Sequence, residues 1–177
     1  MLVVLAVIGL GIYQWQTADD TDSSLSPVPG QSEGAETSAQ APEEPAWCPA
    51  VEFVSVPGTW ESSADDDPFN PQANPKSFML SITQPLQQAY DINHVRVFTL
   101  PYTAQFRNIQ TAHGRAEMTY DDSRAEGTAK LSGELRFVAE TCPSTKFIIA
   151  GFSQGAVIVG DVASKIGNSA GPIDPER

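Results

Sequence analysis

The chain has 177 residues, 41% of them hydrophobic, and a net charge of −12, which suits one domain with a buried core. Before Lys76 there are 12 acidic residues and no Lys or Arg; from Lys76 onward 10 acidic and 10 basic residues balance. The sequence has no cluster of Lys and Arg residues of the kind that nucleic-acid binding requires. The two cysteines are too few for a disulfide-rich scaffold and lack zinc-ligand spacing, so we expect no metal and no cofactor.

The first segment, residues 1–15, is predicted to be a membrane anchor or a signal segment. Met1 to Tyr13 is almost wholly apolar, and its length lies between a signal-peptide apolar region and a membrane-spanning helix. An uncleaved anchor, a cleaved signal and a buried core helix all stay open. Either of the first two places the chain outside the cytoplasm, facing the cell envelope or secreted.

Residues 16–46 are predicted to be a disordered linker. The segment is acidic and rich in Pro, Ser and Gly, with hardly any large apolar side chain. It cannot bury enough surface to offset the entropy lost on ordering. The folded domain is therefore predicted to occupy residues 47–177.

The first half of this domain predicts a strand, a helix and a second strand. The strand is expected at Val51–Val56. The helix is predicted over residues 76–90 from apolar residues at 78, 82, 86 and 90, with a kink at Pro85. Alternating apolar residues predict the second strand over residues 94–100.

A loop then leads to a second helix, which Ser123 and Glu126 are predicted to start as a capping box. Its apolar stripe is formed by Leu131, Leu135 and Val138, and Cys142-Pro143 ends it.

The chain continues with a predicted buried strand at 147–150, the sequence GFSQG, and an apolar helix over residues 156–164. This alternation of strands and helices predicts an α/β fold with a parallel sheet covered on both faces. Functional residues in such folds gather at the carboxyl ends of the strands.

The sequence Gly151-Phe-Ser-Gln-Gly155 lies between the predicted strand and helix, the context of a nucleophile elbow. The sharp turn would expose the Ser153 hydroxyl, and a Cβ at Gly151 or Gly155 would collide with the neighbouring strand or helix. Ser153 is therefore the candidate nucleophile. The backbone N–H of Gln154 is the first expected oxyanion donor, and the Gly58-Thr59 turn is expected to supply the second.

Several segments between about Cys48 and Gly171 together resemble the cutinases, small α/β-hydrolases that cleave carboxylic esters. The resemblance is greatest to the membrane-anchored cutinase-like proteins of mycolate-bearing actinobacteria. The matching segments are Cys48-Pro49, VSVPGTWES at 54–62, PYTAQF at 101–106, DSRAEGT at 122–128 and AGFSQGAVIVGDVAS at 150–164.

The resemblance implies that Ser153 is the nucleophile and that Thr59 and the Gln154 N–H form the oxyanion hole. It also implies a disulfide between Cys48 and Cys142, which an exported location allows. The substrates implied are lipid esters or thioesters of the cell envelope, cleaved by a phospholipase-type or thioesterase-type enzyme.

Cutinases place a catalytic Asp and then a His after the serine, and no His follows Ser153 in this sequence. His94, His113, Asp161 and Asp174 are poor candidates for these roles by position. We therefore expect the chain to be the N-terminal part of a longer protein, with both residues beyond position 177. On its own it should be poorly folded and nearly inactive.

The favoured hypothesis is a serine esterase that is anchored or exported through its apolar N-terminal segment. The alternative is a non-catalytic exported module, or an inactive fragment, that binds the envelope with a hydrolase half-fold. A cytosolic α/β protein with a chance motif is a third interpretation, and it would require Met1–Tyr13 to be core.

Overall fold

The computed structural model describes residues 43–107 and 117–177, so segment 1–15, most of the predicted linker and His113 lie outside the described residues. Within these ranges three strands alternate with three helices. In chain order they are β1 (Val51–Val56), α1 (Leu80–Ala89), β2 (Val95–Thr99), α2 (Tyr120–Thr141), β3 (Lys146–Gly151) and α3 (Gln154–Gly167). The predicted α/β class is confirmed, with β1 at its predicted bounds and the other elements shifted by a few residues.

The three strands form a parallel sheet in the order β2-β1-β3. Val51 pairs with both Val95 and Lys146, and Val56 pairs with Gly151. The carboxyl ends of all three strands therefore lie at one edge of the sheet. The chain leaves this edge through the loop after β1 and through the turn after β3.

Helices cover both faces of the sheet, as a parallel sheet requires. The connections β1-α1-β2 and β2-α2-β3 run in opposite directions across the sheet, so right-handed crossovers place α1 and α2 on opposite faces. On the α2 side the main core contains buried residues from β1, α2 and α3: Val54, Val56, Leu131, Leu135, Ile158 and Val162. On the other face, α1 packs chiefly against β2.

The apolar residues at 78, 82 and 90, whose spacing predicted this helix, do not form its buried face. Leu80 and Thr83 are the helix residues that are buried, whereas Phe78, Ile82 and Tyr90 are 41%, 37% and 52% exposed. The apolar spacing in this segment is helical, but it marks a side of α1 that the described part of the chain does not cover.

The predicted capping box of α2 is also wrong. The helix begins one turn earlier, where the Thr119 side chain accepts a hydrogen bond of 3.1 Å from the backbone N–H of Asp122. Asp121 and Asp122 lie in the first turn, where their negative charges interact favourably with the positive end of the helix dipole. Ser123 is buried inside the helix and donates to the carbonyl of Thr103 at 2.6 Å.

The strand predicted as buried, β3, is an edge strand of the described sheet. Phe147 and Ile149 contact the main core, but Ile148 points to the other face and is 52% exposed. Local sequence indicates an apolar strand without showing how many neighbours cover it.

A buried ion network joins β1, β2 and α2. The Arg96 guanidinium donates to both carboxylate oxygens of Glu52, at 2.6 and 3.0 Å, and to Glu134 at 3.0 Å. It also lies over the ring of Trp47, 4.9 Å from the centroid. The Glu52 side chain is 0% exposed, and this burial outweighs Arg96 and raises the pKa of Glu52 to about 7.

The raised pKa of Glu52 predicts that stability falls as the pH rises from about 5 to 8. The folded state holds the Glu52 proton more tightly than the unfolded state, so this contribution is fully present below pH 4.5 and is lost through pH 7. A rise in pKa from 4.5 to about 7 corresponds to about 3 kcal/mol. Urea unfolding should show a flatter pH dependence for Glu52→Gln. Glu140→Gln, at an exposed position of α2, should leave the dependence unchanged; equal profiles for the two variants would contradict the prediction.

Among the described residues, none of the helices has the length and apolar character needed to cross a membrane. The same residues contain no group of His, Cys, Asp and Glu side chains arranged to hold a metal ion.

Candidate active site

Ser153 occupies the turn between β3 and α3, with φ 53° and ψ −118°. A positive φ is uncommon for a residue with a side chain, and this combination lies outside the left-handed helical region. The turn is held by the Phe152 N–H, which donates to Val56 at 3.1 Å, and by the Gly155 N–H, which donates to Phe152 at 2.8 Å. The serine itself is exposed. This strained strand-to-helix turn is the geometry of a nucleophile elbow.

The two glycines of the motif lie where a side chain has no space. A Cβ built on Gly151 would lie 2.5 Å from the carbonyl carbon and oxygen of Gly155. A Cβ on Gly155 would overlap the carbonyl oxygens of Val56 and Pro57, at the end of β1. The close approach of α3 to both strand ends therefore depends on these glycines, and this approach shapes the turn at Ser153.

Gln154 is the first residue of α3. Backbone N–H groups in the first turn of a helix have no partner within the helix, and the positive end of the helix dipole lies there. The Gln154 N–H lies in this first turn, directly after Ser153.

The loop after β1 passes directly beside the serine. A Cβ built on Gly58 would lie 3.2 Å from the Ser153 Cβ. The next residue, Thr59, is half-buried, and its hydroxyl donates to the Gln154 side-chain oxygen at 3.2 Å. The structure thus brings together three residues predicted from the sequence: Ser153, Gln154 and Thr59.

Two side chains that the sequence reasoning missed hold this loop. The Glu61 carboxylate accepts from the backbone N–H groups of Gly58 and Phe78, both at 3.0 Å. The buried Tyr102 hydroxyl donates to the Pro57 carbonyl at 2.7 Å. Both residues fall inside segments that carry the cutinase resemblance, which was the signal available for them.

The Gln154 side chain has a positioning role of its own. It is only 2% exposed, and its amide nitrogen donates to the Ser123 hydroxyl at 3.0 Å. The Gln105 N–H donates to the same hydroxyl at 3.2 Å. One buried side chain therefore connects the loops after β1 and β2 to the start of α2.

Among the described residues, none of the candidate bases or acids lies beside Ser153. His94 directly precedes β2, at the amino ends of the strands, whereas Ser153 lies at their carboxyl ends. His94 pairs with Asp91. Asp161 accepts both bonds from the Arg124 guanidinium, at 2.6 Å each, and this pairing lowers the pKa of its carboxyl. Asp174 is exposed near residue 177.

The disulfide implied by the resemblance is confirmed. Cys48, just before β1, is bonded to Cys142, the residue that follows α2, with the two Cα atoms 5.5 Å apart. The bond fixes the entry to β1 close to the turn that leads into β3.

The sequence of this chain is similar to sequences of known proteins. The family model described as Cutinase matches residues 71–171. A Corynebacterium glutamicum protein named "Carboxylesterase Culp6 homolog" is 58% identical over 173 residues, which cover 98% of this chain and 54% of that protein. The chain thus spans about half the length of this relative.

Two solved structures resemble this chain. The catalytic core domain of acetyl xylan esterase from Trichoderma reesei is 17% identical with a TM-score of 0.46, and a second acetylxylan esterase structure is 20% identical with a TM-score of 0.45. Each match covers 66% of this chain and 48% of the other. The family match extends over more than half of the 177 residues, and the chain belongs to the cutinase family.

Proposed function

We propose that this chain carries the nucleophile and the oxyanion hole of a serine hydrolase that cleaves carboxylic esters. The observation that carries the proposal is the conformation of Ser153, an exposed serine at positive φ between a strand and the N-terminus of a helix. Membership of the cutinase family and a relative named as a carboxylesterase support it.

In this mechanism the Ser153 oxygen attacks the ester carbonyl carbon, and the carbonyl oxygen becomes an oxyanion. The Gln154 N–H and the Gly58-Thr59 turn stabilise that charge. Collapse breaks the bond to the leaving alcohol and leaves an acyl-serine, which water then hydrolyses to the free acid. The serine proton passes to a base and then to the alcohol. No described residue is assigned as that base, so we expect slow turnover by this chain.

For substrates we propose lipid esters or thioesters of the cell envelope, met by a chain that is membrane-anchored or secreted. The apolar segment 1–15 supports contact with a membrane. The disulfide between Cys48 and Cys142 supports export, because such bonds persist mainly in oxidising compartments.

Labelling with a fluorophosphonate probe tests the nucleophile. Because no described residue is assigned as the base, we expect slow labelling, which peptide mass spectrometry should locate on Ser153 and which Ser153→Ala should reduce to background. Ser63→Ala, at an exposed serine in the loop after β1, should label like the parent chain. Hydrolysis of p-nitrophenyl esters should be slow, at most about 10³–10⁴ above water, because an oxyanion hole acts without a complete triad. Absence of Ser153 labelling would favour the non-catalytic envelope-binding module.

A further inference from the structure

The Ser123 side chain lies at the centre of a buried hydrogen-bond network beside the candidate active site. Ser123 is 0% exposed, near the start of α2. Its hydroxyl donates to the carbonyl of Thr103 at 2.6 Å. The same oxygen accepts from the Gln105 backbone N–H at 3.2 Å and from the Gln154 side-chain nitrogen at 3.0 Å. One donated and two accepted bonds use the full hydrogen-bonding capacity of a serine hydroxyl.

This network fixes the orientation of the Gln154 amide group. The Ser123 proton is donated to the Thr103 carbonyl, so the Gln154 atom that faces Ser123 must itself be a donor. The Gln105 carbonyl oxygen, 3.5 Å from the same atom, also requires a donor there. The amide nitrogen therefore points to Ser123, and the amide oxygen points to Thr59.

The orientation of the amide group determines where the Thr59 proton lies. An amide oxygen only accepts, so the Thr59 hydroxyl donates its single proton to Gln154, at 3.2 Å. A neutral ester carbonyl would accept this proton no more strongly than the amide oxygen does, whereas hydrogen bonds to a charged oxygen are about twice as strong. The hydroxyl is therefore drawn from Gln154 to the substrate only when the oxyanion forms. Such a donor favours the transition state over the bound ester.

We propose that Ser123 is a positioning residue of the oxyanion hole, which acts through the Gln154 amide group to hold the Thr59 hydroxyl beside Ser153. This role rests on the proposed function, in which Thr59 and Gln154 stabilise the oxyanion. Without the Ser123 hydroxyl, the Gln154 nitrogen loses its partner at 3.0 Å, and the side chain gains rotational freedom. The Thr59 hydroxyl is then held less firmly, and donors that are not fixed in advance stabilise an oxyanion less well.

Octylboronic acid tests this role, because its adduct forms without hydrolysis. The Ser153 oxygen adds to boron, the serine proton passes to the buffer, and the boron becomes a tetrahedral anion that resembles the oxyanion intermediate. Boron-11 NMR distinguishes the adduct from free, trigonal boronic acid and gives its dissociation constant. Thr59→Val removes the hydroxyl alone and should weaken the adduct at least about tenfold. Ser123→Ala should weaken it about fivefold.

A double-mutant cycle separates positioning from a general effect on the fold. In the Thr59→Val background, Ser123→Ala should change the dissociation constant less than about twofold, because the hydroxyl that it positions is already absent. A merely structural role would give the same loss with and without the Thr59 hydroxyl. Urea unfolding of each variant shows whether it is folded under the conditions of the titration.

Two further variants complete the experiment. Ser55→Ala is the matched control, because Ser55 is also 0% exposed and its hydroxyl has no hydrogen-bond partner among the described residues. It should change the dissociation constant less than about twofold. Gln154→Met removes the same link but keeps the backbone N–H, and it should weaken the adduct about as much as Ser123→Ala does. If Ser123→Ala does not fold, Gln154→Met takes its place in the cycle.

The outcomes for this role and for the proposed function differ. A normal adduct in Ser123→Ala and Gln154→Met overturns the positioning role, and so does an equal loss in the presence and absence of the Thr59 hydroxyl. In both cases the parent chain still forms the adduct on Ser153, and the proposed function stands. A parent chain that forms no adduct, or an adduct that persists in Ser153→Ala, overturns the proposed function and the role of Ser123 together.

Discussion

Replacing both Cys48 and Cys142 by serine is expected to lower the free energy of unfolding by about 4–5 kcal/mol. The bond joins residues 94 positions apart, and a cross-link over so long a loop removes much of the entropy of the unfolded chain. It also stabilises the native sheet, because it holds the entry to β1 beside the turn before β3. Loss of this amount is a large share of the stability of a domain this size.

Urea unfolding with and without a reducing agent measures this effect. The reductant should destabilise the parent chain by about the same amount as the double substitution and should leave the double variant unchanged. The slope of the transition reports whether the unfolded state has expanded without its cross-link. A loss below about 1 kcal/mol in both experiments would show that the cross-linked loop contributes little, as in the cases where the denatured state stays compact.

Local sequence patterns predicted the parts of the fold that depend on local physics. The strand at Val51–Val56 has the predicted bounds, and Ser153 lies in the strand-to-helix turn that its two glycines indicated. Glycine is required at both positions because a Cβ there would lie 2.5 Å or less from backbone atoms of a neighbouring element. This is why a five-residue motif was enough to position the candidate nucleophile.

Features that depend on distant contacts were not predictable in the same way. The side of α1 that is buried depends on where β2 lies, and helical spacing alone does not identify that side. The start of α2 depended on a choice between Thr119 and Ser123, both of which precede an acidic residue by three positions. Ser123 instead serves the buried hydrogen bonds of Gln154, a contact between residues far apart in the chain.

The ion network was not predicted at all, since Glu52 and Arg96 each lie in an apolar strand segment and their pairing requires the register of β1 and β2. A charged residue in such a segment is usually interpreted as lying on the solvent-exposed side of the strand. Here both side chains are buried, and burial of the two charges is tolerable only because they pair with each other.

Arg96→Met is expected to destabilise the fold by about 3–5 kcal/mol near neutral pH. The Arg96 side chain is 10% exposed, and its loss leaves the fully buried Glu52 and the 16% exposed Glu134 without their cation. Burial already raises the pKa of both carboxyls, and removing the positive charge should raise it further. The deficit should therefore be smallest near pH 5, where protonation neutralises the carboxyls, and should grow as the pH rises.

Arg124→Met provides the matched control, because it removes an equally short bidentate pair with Asp161 whose side chains are 40% and 28% exposed. Pairs near the surface contribute little, so this change should cost less than about 1 kcal/mol. Adding Glu52→Gln to Arg96→Met should restore part of the lost stability, since it removes the buried charge that Arg96 neutralised. If both arginine variants unfolded at the same urea concentration between pH 5 and pH 8, burial of Glu52 would not be what makes Arg96 necessary.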